Sequence, residues 1–209
     1  GSGKTTFCLS FSKFILNSKK KKVIYLSTRA NNIEIINRVI FDSPVDQTSF
    51  ISLSCETFNS ILTEVSQLET YVSNETRVFK ECPYGAIIVD NLFEFYMMEI
   101  GTDYKNSGLN RKLNIILAIL NNIVQNFKIP VLMTNIPKSG QASQDISNNK
   151  HKEMDISGYY GGTYSKYWIS NILKLERTGF QGIRKLRIAL ENVSTLSDFT
   201  MKIDKAGFI

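Results

Sequence analysis

Apolar positions recur along the chain with two different periods. Phe7, Phe11, Phe14 and Ile15 fall at helical spacing and stop at Asn17-Ser18, just before four consecutive lysines, Lys19 to Lys22. This predicts an amphipathic helix. Val23 to Thr28 is a short β-branched run suited to a buried strand, and Ile33 to Ile40 returns to helical spacing. Phe50 to Ser54 predicts another strand, and the stretch around Phe58 to Tyr71 another helix. Gly85 to Asp90 carries the unbroken apolar run that a parallel strand covered on both faces requires. Leu109 to Phe127 is the longest helical pattern, and Pro130 to Asn135 the next buried strand. Such alternation predicts an α/β fold with a mostly parallel, doubly wound sheet.

From Pro137 to Gly162 the rhythm breaks. These 26 residues are rich in Ser, Asn, Gln, Lys and Gly, and long stretches without periodicity inside compact domains are functional or disordered. Beyond them Ile169 to Glu176 and Ile183 to Leu190 alternate as strands about a Thr178 to Gly182 turn, and Phe199 to Ile203 supplies a third. The expected architecture is a parallel sheet with antiparallel strands at its C-terminal end. No internal repeat is visible.

Composition narrows the class. The 209 residues suffice for one buried core, so a single domain over 1–209 is expected. The longest apolar run, Leu113 to Val124, is cut by Asn114, Asn121 and Asn122 and falls short of the about 18 residues a membrane span needs. Cys8, Cys55 and Cys82 are odd in number and widely spaced, which suits a reducing, cytoplasmic setting. The net charge of +6 is unevenly spread: residues 1–40 carry eight basic and one acidic side chain, 41–104 two and eleven, and 105–209 fifteen and seven. Two basic segments around an acidic middle could face a polyanion or form a solvated, mixed surface. The four lysines after the first helix have the same two readings, contact with nucleic acid or complement to the helix dipole.

The chemistry begins at residue 1. Gly1-Ser2-Gly3-Lys4-Thr5-Thr6 is the second half of the phosphate-binding loop G-x-x-x-x-G-K-[ST], opening a helix. Its glycines let backbone N–H groups turn toward phosphate oxygens, and the helix adds its positive end. Lys4 would reach the β- and γ-phosphates and Thr5 would ligate Mg²⁺. The first glycine of the motif and the strand that feeds it are expected ahead of Gly1. Asp90, ending an apolar strand, suits the carboxylate that holds the Mg²⁺ water shell, or a simple strand-end cap. Trp168, near Tyr164 and Tyr167, could stack a base or start a strand as a core aromatic.

Together these blocks resemble the RecA-like recombinases, and within them the archaeal RadA and RadB branch. The resemblance runs over nearly the whole chain: Gly1 to Thr6, Tyr25-Leu-Ser-Thr28, Ile87-Ile-Val-Asp90, Leu109-Asn-Arg-Lys-Leu113, Val131-Leu-Met-Thr-Asn135, Gly161-Gly162 leading to Trp168, Lys174-Leu-Glu-Arg177, and the ending through Phe199 to Gly207. It implies a phosphate-loop ATPase core, ATP with Mg²⁺ as cofactors, single-stranded DNA as partner, and a role as RadA or RadB paralog or mediator beside a RadA-type recombinase or another RecA-family subunit. Two mobile loops would face the strand. One is Glu99 to Asn110; the other is 137–162, where Lys138, Lys150, His151 and Lys152 supply positive or titrating groups and Tyr159 and Tyr160 stacking faces. A polar loop without a partner is the competing reading.

Two departures matter. Relatives place a glutamate directly after the Thr of the second strand, and here that position is Arg29, which cannot accept a proton. The glutamine that follows Thr-Asn in relatives is Ile136 here. Nucleotide binding is therefore expected with weak hydrolysis, and no catalytic residue is assigned; the alternatives are a competent DNA-dependent ATPase recombinase and a nucleotide-gated protein-interaction module without DNA binding. Glu34, five residues on, is shifted too far to be expected within hydrogen-bond reach of the attacking water in place of the missing base.

Overall fold

The computed structural model describes residues 3–28, 33–42, 46–100, 106–138, 159–190, 193–204 and 207–208. Helix α1 (Lys4–Phe14) passes into a wider π-helical turn, Ile15–Lys19, and the pair buries Cys8, Leu9, Ser12, Ile15 and Leu16. Ser12 is tolerated there because its hydroxyl donates to the Cys8 carbonyl at 2.9 Å. Strands β1 (Lys22–Ser27), β2 (Phe50–Ser54), β3 (Tyr84–Asp90) and β4 (Val131–Met133) form a parallel sheet in the order β2-β1-β3-β4. Ile24 pairs with Ile87, Ser27 with Asp90, and Ile87 with Val131.

Alternation sends these strands' side chains to two cores. Val23, Tyr25, Ala86 and Ile88 pack with α1 and with the short helix α2 (Ile33–Ile36) and its π-helical extension, Asn37–Phe41. Ile24, Leu26, Ile87 and Val89 pack with α3 (Phe58–Phe79) and α5 (Ser107–Phe127). In α3 the buried positions Phe58, Ile61, Val65, Leu68 and Val72 repeat every three or four residues, and Thr57 and Ser60 close a capping box at its start. Covering both faces is what makes β1 and β3 apolar almost throughout.

After β3 comes α4 (Leu92–Glu99), capped by Asn91 and packed into the larger core through Leu92, Phe93 and Tyr96. The sequence pattern does not show it, because Leu92, Phe93, Phe95, Tyr96, Met97 and Met98 are apolar all round and carry no period. It corrects the expected first loop: Glu99 ends α4, and residues 107–110 are the first turn of α5.

The antiparallel strands are β5 (Asn171–Arg177), β6 (Ile183–Leu190), β7 (Val193–Asp204) and β8 (Gly207–Phe208). They form a separate four-stranded sheet, β5-β6-β7-β8, and their third strand is longer than the pattern predicted. This sheet meets α1 through Phe208, whose ring lies edge-on to Phe7 at 5.6 Å and whose N–H donates to Ser10 Oγ at 2.8 Å. A largely apolar cavity of about 700 Å³ separates the sheets, walled by β4, β5, β6, α1 and α5. Among the described residues no helix is long and apolar enough to cross a membrane.

Candidate functional site

Gly1 and Ser2 lie outside the described residues. Gly3 takes φ 95°, a left-handed conformation that strains any residue with a Cβ, so the backbone there demands glycine. From it α1 opens with no side-chain cap and no acidic residue in its first turn. That leaves the helix's amino end, with its outward N–H groups and positive dipole, open to an anion. Lys4, Thr5 and Thr6 form this turn and are half-buried.

Opposite stands Asp90, 4% exposed at the carboxyl end of β3. Strand parity puts it on the α1 face with Ala86 and Ile88, and two hydroxyls hold it: Tyr25 donates to Oδ2 at 2.8 Å and Thr134 to Oδ1 at 2.6 Å. Each carboxylate oxygen thus accepts one proton and keeps a lone-pair direction. Burial, then the Asp90 charge, push the Tyr25 phenol far above its ordinary value, so it stays a donor at any physiological pH. The Cys8 thiol beneath is also pushed well up, by burial first and Asp90 second, while Lys4 pulls the other way.

Around the same edge Thr28 N–H donates to the Asp90 carbonyl at 2.9 Å, and Asn91 N–H donates to Thr28 Oγ1 at 3.1 Å. Thr28 Oγ1 in turn donates to Glu94 Oε2 at 3.3 Å, bringing a second carboxylate to the carboxyl edge. Arg29 itself lies outside the described residues, and Glu34 is exposed on α2. Ile136 is half-buried, its N–H donating to Asn135 Oδ1 at 2.7 Å. Among the described residues no group of three or more His, Cys, Asp or Glu could hold a metal by itself.

No protein-family model matches the chain. It is 28% identical over 191 residues to the DNA repair and recombination protein RadB of Methanococcus maripaludis, covering 90% of this chain and 76% of that protein. To the protein of the same name from Methanobrevibacter smithii it is 25% identical over 190 residues, covering 85% and 69%. The crystal structure of the RadB recombinase superposes with a TM-score of 0.72 at 19% identity, over 99% of this chain and 84% of that one. The chain has a RecA-like fold and is similar in sequence to RadB proteins.

The blocks that carry this resemblance now have places. Gly161, at φ 65°, turns the chain into the short helix α6 (Gly162–Ser165), where a Cβ would come within 2.7 Å of Phe93 and 2.9 Å of Leu113. Trp168 is half-buried against the larger core and donates from Nε1 to Asn114 Oδ1 at 3.3 Å, the core reading of that residue. Of the long loop, the base is described: Pro137 bridges Tyr159, and Lys138 is exposed. Lys150, His151 and Lys152 lie outside the described residues. Tyr160 is half-buried, packs against the core and accepts from Asn135 Nδ2 through its carbonyl at 2.9 Å.

Sequence reasoning missed Tyr25 and Thr134 as site residues and Glu94 altogether. Tyr25 carried a signal, a hydroxyl within an otherwise apolar strand two positions from its end. Thr134 and Glu94 gave none, since their roles depend on which strands neighbour β3.

Proposed function

We propose that the chain is a nucleotide-gated DNA recombination and repair protein that binds ATP with Mg²⁺ at the carboxyl edge of the parallel sheet. The carrying observation is that Lys4 opens the uncapped first turn of α1 after Gly3, while the buried Asp90 ends β3 on the α1 face with its two oxygens held by Tyr25 and Thr134. Lys4 would meet the β- and γ-phosphates, with the N–H groups of Gly3 to Thr6 around them. Thr5 would ligate Mg²⁺, and Asp90, positioned by Tyr25 and Thr134, would hold its water shell. The bound ion would screen the phosphate charge.

The role follows from what the site has and lacks. Arg29 and Ile136 stand where a base and a γ-phosphate sensor are expected, so binding would serve as a switch with slow turnover. Lys138, Lys150, His151 and Lys152 would carry single-stranded DNA, and the partner would be a RadA-type recombinase or another RecA-family subunit, in keeping with the relatives' description as RadB.

Fluorescent ATP titrated into the protein tests the reading. Lys4→Ala should weaken binding at least tenfold, and unchanged affinity would sink the site. Glu94 favours a second reading, a competent DNA-dependent ATPase, because it brings a carboxylate to the edge where Arg29 withholds one. DNA-stimulated turnover that falls on the order of 100-fold in Glu94→Gln would establish it.

A further inference from the structure

The strands β1, β3 and β4 are each entered from a helix's carboxyl end: the π-helical turn after α1, α3 and α5. Those three ends therefore gather at the amino edge of the sheet, opposite Asp90. At each the terminating residue is a lysine in the left-handed region: Lys20 at φ 53°, Lys80 at 59° and Lys128 at 56°. They are the only non-glycine residues with positive φ among the described residues. Glycine ordinarily takes this position, since any side chain there is strained. The helix dipole favours a cation in the last turn, but such a cation needs no left-handed backbone.

Charge on this edge is poorly balanced. Glu75 accepts from Lys22 Nζ at 2.9 Å and Glu81 from Lys21 Nζ at 3.4 Å. Lys19, Lys20, Lys80 and Lys128 have no ion pair among the described residues. Asp42 and Asp46 stand at the β2 end of the edge, and Asp46 there accepts from the Thr48 and Ser49 hydroxyls. Beside the lysines Phe79 is 53% exposed, with Lys22 Nζ 5.3 Å from its ring centre.

We propose that this edge is a binding surface for single-stranded nucleic acid. Lys20, Lys80 and Lys128 neutralise phosphates, and Phe79 offers a face to one base. It stands about 20 Å from the nucleotide edge, the length of a strand of β3's size. The sequence shows the lysine run alone; folding brings Lys80 and Lys128 to it.

The test replaces all three caps at once, Lys20→Gly, Lys80→Gly and Lys128→Gly. Glycine suits each backbone better, so the variant should melt higher than the parent, and lost binding cannot come from unfolding. Labelled oligo-dT of about 30 nucleotides is titrated without nucleotide over a salt series. Three phosphate contacts on a single strand contribute about 2 to the slope of log affinity against log salt, so the slope should become shallower by about 2 and affinity fall about 100-fold near 0.1 M salt. Phe79→Ala should weaken binding about tenfold at unchanged slope. An unchanged slope and affinity in the triple variant overturns the proposal, as does duplex DNA bound as tightly with the same loss of slope. Lys4→Ala, read by nucleotide binding alone, reports separately on the site at the other edge.

Discussion

The parallel and antiparallel sheets have four strands each and cohere by different means. In β1 and β3 nearly every residue is buried, because helices cover both faces and the apolar run continues through both parities. In the antiparallel sheet only Leu186 is fully buried among the described side chains, while β5 and β6 carry Lys174, Glu176, Lys185 and Arg187. These form a ladder with Asp198 of β7: Lys185 to Asp198 at 2.7 Å, Arg187 to Asp198 at 3.4 Å and to Glu176 at 3.5 Å, and Lys174 to Glu176 at 3.2 Å. The difference teaches where stability and specificity reside. Apolar burial holds the parallel sheet, whereas partly solvated ion pairs mainly set register in the other.

The sharpest way to break this comparison is a pair of aromatic deletions. Phe58→Ala, from the fully buried face of α3, should cost about 3–5 kcal/mol in urea unfolding, while Phe199→Ala, 50% exposed on β7, should cost less than about 1 kcal/mol. Equal losses would mean that the two sheets share one mode of cohesion. Next comes the polar core of the parallel sheet. Tyr25→Phe keeps the ring and removes a hydrogen bond to a carboxylate, so stability should fall by about 1.5–3 kcal/mol, and Mg²⁺-dependent nucleotide affinity should fall with it. A neutral result would show that Asp90 needs no support from β1.

For the ladder, a double-mutant cycle of Lys185→Ala and Asp198→Ala should return a coupling below about 1 kcal/mol that shrinks in high salt. Coupling that survives salt would promote the ladder to a structural role. The smallest effect is one of pH. The Lys22 hydrogen bond holds the half-buried Glu75 carboxyl below its ordinary range. A depressed carboxyl contributes stability that is present above its unfolded value and lost as pH falls through the folded one. Glu75→Gln should therefore flatten unfolding stability against pH only on the acid side of the ordinary carboxylate range, leaving the neutral region parallel to the parent.

Much of the fold was legible before folding was considered. The strands β1, β2, β3 and β4 sit where short apolar runs predicted them, and α1, α3 and α5 where the 3.6-residue period did. The α4 helix was not legible, since a segment apolar on all sides has no period to read. Antiparallel strands were legible as elements, but their separation into a second sheet was not, because which edges meet depends on long-range packing.

The site divides in the same way. Its first-order chemistry, a lysine opening a helix after glycines and an aspartate ending an apolar strand, is local, so Gly3, Lys4, Thr5 and Asp90 could be named from the chain alone. Tyr25 and Thr134 come to Asp90 across 65 and 44 residues, and only strand order decides that they reach its two oxygens. The amino edge is more dependent still. Each lysine cap is an ordinary local event, but a surface arises only when three helix ends are brought to one side of one sheet. Sequence sets what each segment can do by itself; the tertiary structure sets which charges and hydroxyls are neighbours, because electrostatic and hydrogen-bonding partners act through space and not along the chain.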